Sequence, residues 1–196
     1  MIRKWFSKKD GSGGPDPRWS ELIHRLRDLG MWNDADPAEL ESVFDSMITK
    51  QNFWLVESPR FIMADSEEFA EGGIGEWLDE FRDVLAKYGF MFQSHEDHCD
   101  EQGYDFVLDG ARHTVYTEQQ LQQHGKATNI WEIATRFVQQ MINTQLRSKG
   151  IETRAYLFYG GNDGQLAMLT PQMADAMIES ALIEKKEQPF RLDAEP

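Results

Sequence analysis

Apolar residues recur at helical spacing in five stretches of this chain and cluster in short runs between them. The longest stretch lies between Asn129 and Gly150. Ile130, Ala134, Phe137 and Met141 repeat along it, and Ile133, Val138 and Ile142 widen the stripe into a face suited to a large core. Asn129 is a capping residue with Glu132 three positions on, the spacing of a capping box, and Gly150 suits the left-handed position that ends a helix. The pattern predicts a long core helix on which other elements pack. Beyond it, Arg154-Ala155-Tyr156-Leu157-Phe158-Tyr159 has strand composition, Gly160-Gly161-Asn162-Asp163-Gly164 is turn-forming, and Gln165-Leu166-Ala167-Met168-Leu169 returns as a second strand. Thr170 followed by Pro171 begins a further helix.

On the N-terminal side, Asp16 and Pro17 open a helix with Trp19, Leu22, Ile23, Leu26 and Leu29 on one face, and Gly30 stops it. Asp36, Pro37 and Glu39 open another, which carries Leu40, Val43, Phe44, Met47 and Ile48. The two helices read as a hairpin. Apolar runs at residues 53–56 and 61–64 flank Glu57-Ser58-Pro59-Arg60 and read as strands. From Ile74 the helical period resumes through Trp77, Leu78, Phe81, Val84, Leu85 and Tyr88, with Gly89 at its end. Phe90-Met91-Phe92 then reads as a strand and the polar run 94–103 as an exposed loop. Tyr104-Asp105-Phe106-Val107-Leu108 and residues 111–116 flank Asp109-Gly110, a strong signal for a tight hairpin, and Thr117 with Gln120 begins a short helix.

Hairpin-linked strands imply antiparallel pairing. The class expected is therefore α+β, a mainly antiparallel sheet built from hairpins and packed with about five larger helices. Residues 1–15 form a basic tail and a Gly-Pro linker, and residues 16–196 form one α+β domain that would divide near 117–128 if it had two lobes.

Charge adds a second layer. The formal net charge is -14, and it is uneven: Arg3, Lys4, Lys8 and Lys9 lie in the tail, which leaves 16 basic and 33 acidic residues from Gly13 onward. Such a surface repels nucleic acid and anionic lipid and attracts basic proteins. Between Asp65 and Asp109 there are fourteen acids against Arg82 and Lys87 alone, and Asp65, Glu67, Glu68, Glu71, Glu76, Asp79, Glu80 and Asp83 form the candidate partner-binding face. One cysteine, Cys99, excludes an internal disulfide. No apolar run has the length of a membrane span, and the basic start lacks the apolar core of a signal peptide, so a cytoplasmic setting is expected.

Catalytic patterns are sparse. His95, His98 and Cys99 could supply nitrogen and sulfur to a metal, but their spacing matches no established finger, and no cofactor is expected. Glu71-Gly72-Gly73-Ile74-Gly75 precedes a helix without the Lys-Ser or Lys-Thr of a phosphate loop, and reads as a flexible start to that helix. There is no Gly-x-Ser-x-Gly elbow, and no catalytic residue is assigned. The leading expectation is a non-enzymatic acidic domain that binds a basic protein, as an inhibitor or immunity-type protein neutralises a basic toxin such as a nuclease. Two alternatives stay open: an enzyme of unrecognised type with a loop-lined pocket, and an accessory or adaptor subunit.

Overall fold

A computed structural model describes residues 16–51, 53, 60–158 and 163–189. Helices α1 (Arg18–Asp28) and α2 (Pro37–Lys50) are followed by β1 (Phe61–Asp65) and three short helices, α3 (Ser66–Ala70), α4 (Ile74–Glu80) and α5 (Arg82–Lys87). Strands β2 (His95–Asp100), β3 (Gly103–Leu108) and β4 (Ala111–Thr117) lead to α6 (Glu118–Gln122) and the long α7 (Ile130–Ser148). Strands β5 (Arg154–Phe158) and β6 (Asp163–Leu169) and helix α8 (Pro171–Glu179) complete the fold. The class is α+β. The strands form two antiparallel three-stranded sheets, ordered β1-β6-β5 and β2-β3-β4.

The first sheet is central because both its faces are apolar. Ile62, Ala64, Ala155, Leu166 and Met168 turn to one core, shared with Ala134, Val138 and Ile142 of α7 and with the inner face of the second sheet. Tyr156, Phe158, Ala167 and Leu169 turn to another, which α1, α2 and α8 cover with Trp19, Leu22, Phe44 and Met173. A strand buried on both faces needs a near-continuous apolar run, which residues 166–169 supply. Arg60, itself buried, joins the two halves. Its Nε donates to Met31 O at 2.9 Å and Nη1 to Met168 O at 3.0 Å, and its guanidinium lies 4.9 Å from the Tyr88 ring centre.

Local signals set the element ends. Asp36 Oδ1 accepts from Ala38 N, Asn129 Oδ1 from Trp131 N and Thr170 Oγ1 from Met173 N, each closing an otherwise open helix start. Thr117 and Gln120 form the expected capping box. Asp109 and Gly110 both take left-handed backbone angles, φ 49° and 81°, as a two-residue hairpin turn requires.

Three expectations change. The single helix from Ile74 to Tyr88 is two, α4 and α5, broken at Phe81. Phe90-Met91-Phe92 is irregular: Phe90 and Phe92 are buried and Met91 is exposed, so the run plugs the core without strand pairing. The strand instead forms at His95–Asp100, in the run expected to be an exposed loop. This edge strand pairs only with β3, its outer face meets water and its inner face abuts α4, so its stability requires no apolar alternation. The strand expected at 53–56 lies outside the described residues except for Phe53, which is buried. The residues 61–64 do form β1, and it pairs with β6 in the register Phe61↔Ala167 to Asp65↔Asp163.

Candidate functional site

Helices α3 and α4 and the edge strand β2 gather the densest charge of the chain. Glu67, Glu68, Glu71, Glu76, Glu80 and Asp83 are all exposed, and among the described residues none of them forms an ion pair. Partial burial, and then the repulsion of Asp65, Glu76 and Glu80 in turn, push the Glu68 carboxyl above the ordinary glutamate range.

Two of the eight candidate acids have other work. Asp65 caps α3, its Oδ1 accepting from Glu67 N at 2.8 Å and Glu68 N at 3.2 Å. Asp79 accepts from Arg82 at 2.6 Å and from His95 Nε2 at 3.1 Å, and these bonds hold its carboxyl below the ordinary aspartate range. Arg82 also donates to Phe92 O at 3.1 Å and stacks 3.9 Å above the Phe92 ring, so its charge is committed within the fold.

Behind the acidic surface lies a polar brace that fixes α4 on the second sheet. Strand alternation places His95, Asp97 and Cys99 on the inner face of β2. Asp97 Oδ1 accepts from the Tyr104 hydroxyl, and Oδ2 accepts from Gly75 N at 3.1 Å. Burial nevertheless leaves the Asp97 carboxyl above its ordinary range, the two hydrogen bonds offsetting only part of the desolvation. Burial and then the bond to Asp97 push the Tyr104 hydroxyl far up as well. The His95 ring stacks on Phe106 with centroids 6.2 Å apart and an interplanar angle of 14°. A Cβ at Gly75 would overlap both Asp97 Oδ2 and His95 Nδ1. The glycine expected as a flexible helix start is thus a point of close approach between helix and strand.

The three candidate metal ligands do not converge. His95 faces Asp79, while His98 lies on the outer face, 3.3 Å from Glu96 Oε2. Cys99 is exposed at the strand's far end, with Sγ 3.4 Å from the Tyr116 hydroxyl, which itself donates to Ala70 O at 2.7 Å. Among the described residues no group of three His, Cys, Asp or Glu side chains is arranged to hold a metal ion. The sequence places Gly75 at a helix start and Tyr104 in a strand without disclosing their contacts, because nothing local marks a glycine or a tyrosine whose partner lies on another element. No described helix is long and apolar enough to cross a membrane.

What the arrangement offers chemically is a surface of carboxylates, most of them without an ion pair among the described residues, braced from below. No protein-family model matches the chain, and neither do any curated proteins or solved structures.

Proposed function

We propose that this chain is a non-enzymatic protein-binding domain whose α3–α4 face docks a basic protein, in its most specific form an inhibitor or immunity-type protein that neutralises a cationic toxin such as a nuclease. One observation carries the reading: Glu67, Glu68, Glu71, Glu76, Glu80 and Asp83 are exposed and form no ion pair among the described residues, and partial burial and then the repulsion of Asp65, Glu76 and Glu80 raise the Glu68 carboxyl. Crowded carboxylates cost the fold stability, and cationic side chains of a partner would relieve that repulsion on docking. A nuclease needs a positive active site to hold phosphate, and carboxylates on this face would stand in for phosphates. Complementary fields would also speed association. The single cysteine suits a reducing compartment such as the cytoplasm.

The test replaces Glu67, Glu71, Glu76 and Glu80 by Lys together and leaves Asp65 and Asp79 intact, because those two hold the fold. The tagged full-length chain should retain a stoichiometric basic protein from lysate of its own organism at low salt and release it as salt rises. With that partner purified, the reversed variant should bind at least about a hundredfold more weakly, since several charge pairs are inverted. Equal binding by the variant, or the lack of any basic partner, would refute the proposal.

A further inference from the structure

A cavity of about 500 Å³ opens where α7 begins and the central sheet ends. Its origin is a pair of small residues. Ala64 of β1 and Gly164 of β6 are register partners on the sheet face that α7 covers, so the first turns of the helix lie over a patch with almost no side chains. The volume is within the range of small-molecule sites.

Its lining has three chemical parts. Ser66 and Thr135, both buried, place their hydroxyls 2.9 Å apart across the floor. Leu157 and Trp131 contribute apolar wall. Arg136, Lys185 and Lys186 stand on the lining; Arg136 holds Glu132 at 2.7 Å and Lys186 holds Glu184 at 3.4 Å. Lys185 has no ion pair among the described residues. Gln165 also borders the cavity. It is 3% exposed, and its Nε2 donates to Met63 Sδ at 3.9 Å.

We infer that this cavity binds a small carboxylate carrying an apolar body, as an aryl-substituted propanoate does. The carboxylate meets Lys185 and the neighbouring cations, and the apolar body lies against Leu157 and Trp131. The site is independent of the acidic face, and the two can fail separately.

Titration of the full chain with 3-phenylpropanoate, followed by calorimetry and saturation-transfer NMR, tests it. Saturable one-to-one binding is expected, about tenfold weaker for 3-phenylpropan-1-ol, which lacks the carboxylate. The double substitution Lys185→Glu with Lys186→Glu, at two exposed positions, should weaken 3-phenylpropanoate by a similar factor. The four-residue reversal of the acidic face should leave it unchanged. No saturation by 3-phenylpropanoate, equal affinity for the alcohol, or indifference to the double lysine substitution would each overturn the inference.

Discussion

Asn143 closes the outer edge of β5 by a two-way exchange with Ala155: its Nδ2 donates to Ala155 O at 2.9 Å and its Oδ1 accepts from Ala155 N at 2.7 Å. Gln139, one turn earlier on α7, donates to the same carbonyl at 3.1 Å. β5 ends its sheet, and these helix amides occupy the place of a further strand. Asn143→Leu preserves the volume and leaves the buried Ala155 N–H unpaired. We expect a loss of about 1–3 kcal/mol, seen as a lower urea midpoint at unchanged slope.

The brace between α4 and β2 makes a second prediction. Gly75→Ala places a methyl against the Asp97 carboxylate and the His95 ring, so helix and strand must separate and the Asp97 bond to Gly75 N is lost. A loss of about 2–4 kcal/mol is expected, in the range of overpacking combined with a broken buried hydrogen bond. Gly110→Ala, where no atom lies within 4 Å of the added methyl, should cost only the left-handed backbone penalty, about 1 kcal/mol. Thermal unfolding of the two variants side by side separates crowding from backbone strain.

The contrast between those glycines shows what the sequence could disclose. Asp109-Gly110 was legible because a hairpin turn is decided by neighbours along the chain, and the caps at Asp36, Thr117 and Thr170 were legible for the same reason. β2 was not. Its residues are polar on both faces, and only the pairing with β3 makes them a strand. The acidic character of residues 65–83 could be read directly, yet Asp79 and Glu68 looked alike. Arg82 and then His95, sixteen positions on, hydrogen-bond one, while partial burial and then Asp65, Glu76 and Glu80 raise the other, and the contributions of His95, Glu76 and Glu80 depend on tertiary contacts.

Tyr88 supplies a prediction at alkaline pH. Burial is the first cause that pushes its hydroxyl up to about 12, with the Asp34 carboxylate adding to it and Arg60 opposing. The ordinary value is about 10, so between those values the folded chain holds a proton that the unfolded chain has released. Its contribution to stability is whole below the ordinary value and declines as pH rises through the folded one. Tyr88→Phe should therefore flatten the fall in unfolding free energy over pH 10 to 12, measured by urea titration at each pH. An unchanged slope would mean that Tyr88 ionises as freely in the folded chain as in the unfolded one.

Glu68 separates a solubilising surface from a docking surface. Its carboxylate is disfavoured by partial burial and by Asp65, Glu76 and Glu80, and a raised carboxyl withdraws stability as pH climbs above the ordinary glutamate range. Glu68→Gln removes that repulsion. Because the group is largely exposed and screened, the gain at neutral pH should not exceed about 0.5 kcal/mol, and it should fade in high salt. If the face only keeps the chain soluble, the substitution improves stability and costs nothing else. If the face docks a basic protein, the same substitution should stabilise the free chain and weaken the complex by about three- to tenfold, chiefly through slower association at low salt. Measuring both effects on one purified variant decides between the two, because a solubilising role leaves the association rate unchanged.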